Sequence, residues 1–318
     1  MITHLHGKVS EILPVVSVIM NCYNGERYLQ EAIDSVYTQT FSDWEIILWD
    51  DASKDRTAEI AKSYDEKLRY FKGEKATALG QARNWAIDKA RGEFIAFLDQ
   101  DDVWLCDKLS KQIPIFEDPA VGIVISNTLF FDGNGKERQF YQKHSPPTGY
   151  VFRELLSKYF ISLETVVLRA QSLTQLDKHF NAEFTAIEEY DLLVRISYNW
   201  KVAYVKDVLS KWRVHAASWT WSKKDSFPKE KRIMLAELSN IIPEFDSEYS
   251  EEIKVVKRGI AIQESEILWA NGQSQAAREL VKINISDDLR CKIFYLLTFF
   301  PYTLYTCLRK ISGRISPL

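Results

Sequence analysis

Phe94-Ile95-Ala96-Phe97-Leu98-Asp99-Gln100-Asp101-Asp102-Val103-Trp104 is the stretch on which the reading of this chain turns. Five apolar residues run directly into three carboxylates within four positions. An unbroken apolar run of this length, bounded by Gly92 and then by acids, predicts a buried strand of a parallel sheet. The acids then stand just past its carboxyl end, where open α/β sheets bind ligands. Like charges packed so closely repel one another. A divalent cation among them, Mg²⁺ or Mn²⁺ holding a substrate phosphate, makes the cluster tolerable. A solvated acidic turn capping the next helix is the plain alternative.

Working outward, the same pattern repeats. Val15–Cys22 (VVSVIMNC) predicts a buried first strand ending at the turn Tyr23-Asn24-Gly25. Glu26–Gln39 carries Leu29, Ile33 and Val36 at helical spacing. Trp44–Trp49 predicts a second strand running into Asp50-Asp51-Ala52-Ser53, followed by a helix capped by Asp55 and Thr57. Leu68–Phe71 is a short third strand, and Gly80 opens a helix over Gln81–Arg91 with Gly92 as its stop. Strands alternating with helices predict an α/β fold, a mostly parallel sheet flanked by helices with right-handed crossovers. Three strand ends would then deliver Asn21, Tyr23, Asp50, Asp51, Asp99, Asp101 and Asp102 to one rim.

Further along, Leu105–Phe116 predicts a helix and Val121–Phe131 a strand. Asp132-Gly133-Asn134-Gly135 has the start of a calcium loop but lacks its later ligands, so it reads as a hairpin turn. Short elements follow, a helix over Val151–Tyr159 and a strand over Thr165–Arg169. Ile187–Arg195 (IEEYDLLVR) predicts a helix with Glu188 and Glu189 in its first turn, where the helix dipole favours acids. After the strand Val202–Val205, Lys211, Arg213 and His215 lie close together. A single His is usually structural, but one near an acidic cluster is a metal-ligand candidate.

From about Lys229 helical patterns dominate, over Arg232–Ile241, Glu251–Trp269 and Ser274–Ile283. The division expected is therefore residues 1–225 as the α/β domain and 226–318 as a helical region. Ile293–Leu308 is apolar and aromatic, interrupted by Pro301 and flanked by Lys292, Arg309, Lys310 and Arg314. It is short for a spanning helix. Peripheral membrane contact through 291–314 or a buried terminal helix pair both fit.

Composition narrows the class. At 46% apolar and 27% charged, the chain predicts a globular protein with a proper core. Its net charge of −3 gives no sign of a nucleic-acid partner. The cysteines, Cys22, Cys106, Cys291 and Cys307, form no CxxC pair and read as free thiols of a reducing compartment. Met1–Pro14 has no apolar core of signal-peptide length, so a cytoplasmic location is expected and the Asn284-Ile285-Ser286 sequon carries no weight. Aromatic residues are 13%, with 9 Trp, a composition shared by carbohydrate-binding surfaces.

From Val15 to about Ser218 these motifs (SVIMNCYN, SVYTQTFSDWEIILWDDASKDRT, GQARNWAIDKARGEFIAFLDQDD, EEYDLLVR and WRVH) resemble, in order and spacing, the family 2 glycosyltransferases of GT-A fold. The resemblance implies an inverting, metal-dependent transferase using a nucleotide-activated sugar, usually UDP-linked, with Mn²⁺ or Mg²⁺. It implies that Tyr23 and Asp51 hold the base, with Asn21 and Asp50 beside them. Arg83 would contact the nucleotide, with Asn84 nearby and Asp99 on the donor side. Asp101 and Asp102 would be the metal and ribose-diphosphate acids, with the direct ligand open between them. His215 would complete the metal site, and Arg213 would sit near the diphosphate. Glu189 stands where the family usually has Asp in its acceptor-side pair, which leaves the base open between Glu188 and Glu189. The family also implies a glycan or lipid-linked acceptor, a role in cell-surface polysaccharide assembly, and placement on the inner face of the cytoplasmic membrane. Two rival readings fit the sequence less well. A nucleotidyltransferase would want a Gly-rich basic loop where Tyr23-Asn24-Gly25-Glu26 stands. A non-catalytic sugar-nucleotide-binding protein would tolerate loss of the acids, and all are present.

Overall fold

The computed structural model describes residues 13–215, 225–282 and 289–311. The Asn284–Ser286 sequon, the N-terminal residues before Leu13, Ser218 and Arg314 lie outside them. The chain builds β1 (Val16–Cys22), α1 (Leu29–Tyr37), β2 (Trp44–Asp50), α2 (Thr57–Ala61), β3 (Leu68–Lys72), α3 (Leu79–Ile87) and β4 (Phe94–Phe97). Then come β5 (Val103–Trp104), α4 (Lys108–Gln112), β6 (Val121–Phe131), β7 (Glu137–Gln139), α5 (Phe152–Ser157), β8 (Val167–Arg169), α6 (Ala170–Thr174), α7 (Glu188–Ser197) and β9 (Lys201–Arg213).

The strands form one sheet in the order β3-β2-β1-β4-β8-β6-β9-β5, with β7 hairpinned onto β6. The first four neighbours pair in parallel, as the alternation predicts. Beyond β4 the sheet turns mixed: β8 runs antiparallel to both β4 and β6, while β6 and β9 are parallel. The Asp132 turn is the expected hairpin, its carboxylate accepting the N–H groups of Asn134 and Lys136. Before α2, Asp55 accepts from the Thr57 N–H and hydroxyl, while the N-cap position itself is Arg56, which makes no side-chain cap.

The period of two in the strands sorts the core into two layers. Val16, Val18, Met20, Phe94 and Ala96 face α1 through Leu29, Ile33 and Val36. Ile19, Ile47, Ile95 and Phe97 face the other layer, with α5 and α7. Burying one such side chain contributes about 1.5–3 kcal/mol. Gly92 does not stop α3, which ends five residues earlier at Ile87. A Cβ at Gly92 would stand 2.5 Å from the Ser17 nitrogen, so glycine is there because β1's backbone passes against it.

The helices Phe227–Ile241 and Ser250–Ala270 are not set apart from the sheet. Met234, Leu235, Leu238, Ile253, Val256 and Ile260 belong to the same buried cluster as Ile19 and Phe97. A separate small cluster begins at Trp269, with Val281, Cys291 and Phe294. The change of sequence texture near residue 225 is therefore not a gap in packing. Among the described residues, no helix is long and apolar enough to cross a membrane.

Candidate active site

The parallel register of β1, β2 and β4 brings their carboxyl ends to one rim, with Cys22 beside Asp50 and Ile19 beside Phe97. Gln100 sews two of the rim loops together, its Oε1 accepting the Tyr23 N–H at 2.9 Å. Asn24 and Ala52 hold positive φ angles of 50° and 64° at this rim. Backbone strain of this kind persists where the surroundings over-determine the loop, as they do at functional sites.

The three acids of the central stretch diverge. Asp101 Oδ2 meets His215 Nε2 at 2.7 Å, with both side chains a little over one-fifth exposed. Burial first, and the Asp99 charge second, push the Asp101 carboxyl above its ordinary range, while His215 pulls it back. Asp102 turns inward, 1% exposed, and its Oδ1 accepts the Arg213 N–H at 2.8 Å. Burial, then Glu164 and Asp101, hold its pKa well above normal. It therefore pins the end of β9 to the acid loop. Among the described residues no group of three acids, histidines or cysteines is assembled for a metal.

Arg83 links this side of the rim to the next. It is 2% exposed, yet Nη2 reaches Asp99 at 3.1 Å and Nη1 reaches Glu188 at 2.9 Å, with Glu189 at 3.9 Å. Burial works against its charge, and the three carboxylates outweigh that effect. Glu188 is thereby spent as a buried partner of Arg83. Glu188 and Glu189 both line a cavity of about 490 Å³, within the size range of ligand sites, alongside Arg83, Asp99 and Tyr159, and Glu189 is the more exposed of the two. The Tyr159 hydroxyl donates to its Oε1 at 3.2 Å. Burial, opposed by Arg83 and reinforced by Glu188 and Asp99, pushes Glu189 up to about 8. Its side chain keeps 29% exposure, but what surrounds it is the pocket wall more than open water.

Glu230, on the helix Phe227–Ile241, holds the start of α7 in place. Its carboxylate accepts the N–H groups of Thr185, Ala186 and Ile187 at 2.9–3.1 Å, directly before Glu188. A buried acid at a helix N-terminus satisfies donors that the helix cannot.

The remaining expected residues divide. Tyr23 is 51% exposed at the rim. Asn21 is buried there with its Nδ2 unpartnered, and Asp51 is held by the Thr77 N–H and hydroxyl. Asp50 is not brought to the rim surface. It is fully buried, accepting from the Tyr70 hydroxyl at 2.5 Å and the Ser53 N–H at 2.7 Å, so it braces the turn after β2. The Asn84 amide is likewise engaged within the protein, clasping the Phe180 N–H and C=O, both at 2.9 Å. Arg213 sits against the acid loop but spends its fork on the Asp101 carbonyl and on Glu31, sandwiched between Tyr28 and Phe131 at 4.5 Å from each ring. Sequence reasoning missed Gln100, Tyr159 and Glu230. Gln100 lies inside the acidic motif and could have been found there; Tyr159 and Glu230 carry no local signal.

A family model described as Glycosyl transferase family 2 matches residues 17–175. A curated relative from Escherichia coli, the UDP-Glc:alpha-D-GlcNAc-diphosphoundecaprenol beta-1,3-glucosyltransferase WfgD, is 30% identical over 207 residues, covering 64% of this chain and 79% of that one. Among solved structures, S. aureus TarS 1-349 in complex with UDP-GlcNAc shares the fold at TM-score 0.63 and 20% identity, over 89% of this chain and 79% of that one. A mannosyltransferase from Pyrobaculum calidifontis, in complex with GDP-Man and Mn²⁺, shares it at TM-score 0.59 and 18% identity, over 94% and 85%.

Proposed function

We propose, from the premise that this chain belongs to the family 2 glycosyltransferases, that it is an inverting, metal-dependent transferase moving a sugar from a nucleotide donor, UDP-linked by analogy, to an acceptor hydroxyl. One observation carries the reading: buried Arg83 joins a donor side, Asp99 with the Asp101–His215 pair, to a pocket into which Glu189 opens. Glu189 takes the proton of the attacking hydroxyl, and a single displacement inverts the anomeric carbon. Arg83 holds Asp99 and Glu188 at hydrogen-bond distance, which leaves Glu189 the more exposed of the pair in the pocket. Tyr23 offers an aromatic face for the base, and Asn21 and Asp51 polar groups beside it.

Asp101 and His215 fit a divalent ion. A carboxylate oxygen and an imidazole nitrogen 2.7 Å apart, both reachable from the rim, are donors that suit Mn²⁺ or Mg²⁺. When bound, such an ion supplies positive charge against the departing nucleoside diphosphate.

A panel of nucleotide sugars incubated with and without Mn²⁺ tests the reading by release of nucleoside diphosphate. Metal-dependent release from one donor is expected. Neither binding nor release with any of them would leave the enzyme reading without support. Asp101→Asn and His215→Ala should each raise the Mn²⁺ concentration for half-maximal activity by more than about tenfold, since even outer-shell changes cost that much. An unchanged metal requirement in both variants would remove them as ligands.

A peripheral seat on the inner face of the cytoplasmic membrane and a role in cell-surface polysaccharide assembly are part of the proposal, with a lipid-linked acceptor of the kind that the name of the E. coli relative gives for that protein. The helices Leu289–Leu297 and Tyr302–Ile311 break at Pro301 and use two faces. Cys291 and Phe294 pack on Trp269, while Leu289, Ile293, Leu296, Phe299, Phe300 and Leu304 stay 45–70% exposed. An apolar surface of this kind beside Arg290 and Lys292 suits an anionic interface. Flotation with phosphatidylglycerol vesicles should recover the parent protein. The double variant Phe299→Ser, Phe300→Ser should bind about tenfold or more weakly, two buried aromatic side chains being lost. Equal recovery of both would remove this face as the contact.

A further inference from the structure

The cavity that holds Glu189 is closed by the C-terminal helices, and their side of it carries the opposite charge. Phe227, Lys231, Val256, Arg258, Gly259 and Arg290 line it there. Two neighbouring positions on the paired helices Phe227–Ile241 and Ser250–Ala270 make the point. Arg232 meets Glu264, a cation neutralised by a carboxylate. One residue earlier on both helices Lys231 meets Gln263 at 3.3 Å, and the amide neutralises nothing. Among the described residues Lys231 has no carboxylate partner, and its other neighbour is the ring of Phe227 at 6.0 Å. Burial alone pulls its pKa down, as expected of an ammonium taken from water without a counter-charge. A half-buried cation in a cavity is stabilised when an anion joins it.

Gly259 stands one turn before Gln263, inside a helix of 21 residues. Glycine there costs about 1 kcal/mol relative to alanine. A Cβ added at this position would meet nothing within 4 Å, so no close packing requires glycine. What its absence of a side chain leaves is room in the cavity. Arg290 extends the cationic side onto the helix whose outer face bears exposed Leu289 and Ile293. The charged end of the cavity thus adjoins the apolar surface.

We propose that Lys231, over the space left by Gly259, seats the phosphate of an acceptor whose apolar chain leaves toward the helix Leu289–Leu297. The word acceptor rests on the transferase reading above; the phosphate seat does not.

Calorimetric titration of the full chain, with UDP and Mn²⁺ saturating the donor side, tests it with three probes: farnesyl phosphate, farnesol and inorganic phosphate. Farnesyl phosphate should bind, and Lys231→Gln should weaken it about tenfold or more, the worth of a hydrogen bond to a charged group. Gly259→Leu should weaken it by filling the space. Lys257→Gln, an exposed cation of the same helix outside the cavity, should leave it unchanged. Farnesol should bind more weakly than farnesyl phosphate and without dependence on Lys231. Inorganic phosphate binding as tightly as farnesyl phosphate would overturn the apolar chain as part of the ligand. Farnesyl phosphate binding equally to the parent, Lys231→Gln and Gly259→Leu would overturn the seat. Should Gly259→Leu fail to fold, Lys231→Gln decides alone. Because the readout is binding, a chain that seats farnesyl phosphate through Lys231 yet releases no nucleotide would sink the transferase reading and leave the seat standing.

Discussion

Glu189→Gln is expected to lower sugar transfer by about 10²–10⁴-fold, the usual contribution of a positioned general base. Donor binding should persist, because Glu189 faces the pocket beyond Arg83, away from the Asp101–His215 pair. Burial holds the Glu189 carboxyl near 8, so in the free protein it becomes a base only as pH rises through that value. The parent kcat/KM should climb with pH up to about 8, and the residual activity of Glu189→Gln should lack that limb. Stability moves the other way. A carboxyl whose folded pKa is raised above its unfolded value contributes stability below the unfolded pKa, about 4.3, and loses it as pH rises through the folded one. Glutamine stays neutral, so the variant's melting temperature should gain on the parent's between about pH 5 and about pH 9. Transfer at near-parental rate in Glu189→Gln would show that another group takes the proton.

Arg83→Met should destabilise the fold by about 3–5 kcal/mol, the cost of removing one partner from a buried ion pair. Glu188, 5% exposed, would be left as an uncompensated buried carboxylate, and Asp99 would lose its partner. The loss should be smallest in acid. Without the guanidinium, the folded pKa of Glu188 rises further above its unfolded value, so the variant binds a proton on folding and weakens as pH increases. Glu188→Gln added to Arg83→Met should recover part of the stability, since the stranded charge is gone. Denaturation followed from about pH 4 to about pH 8 measures this. A melting temperature within about 1 °C of the parent at neutral pH, less than about one kcal/mol for a chain of this size, would mean that Arg83 is not the tie between the two acid groups.

The three acids after β4 show how far sequence carries. Their position past an apolar run was readable, and so was the rim they share with Asp51. Which acid faces the rim was not, because Asp101 and Asp102 are adjacent and the answer depends on β9, whose Arg213 N–H lies 111 residues away and claims Asp102. Which of Glu188 and Glu189 is held most closely depends in the same way on Arg83, which reaches Glu188 at a separation of 105 residues. Asp50 and Asn84 carried the right chemistry for a donor site and were drawn inward by Tyr70, Ser53 and Phe180.

Periodicity and punctuation therefore determined the α/β order, the parallel half of the sheet and the strand ends that bear acids, since each depends on neighbours within a few residues. The antiparallel insertion of β8, the inward turn of Asp102 and the presentation of Glu189 were decided only by the assembled chain. So was the lining of the pocket by helices of the region expected to stand apart from the α/β domain. Side-chain direction at a rim is set by whichever distant donor reaches the carboxylate first, and no local pattern records that distance.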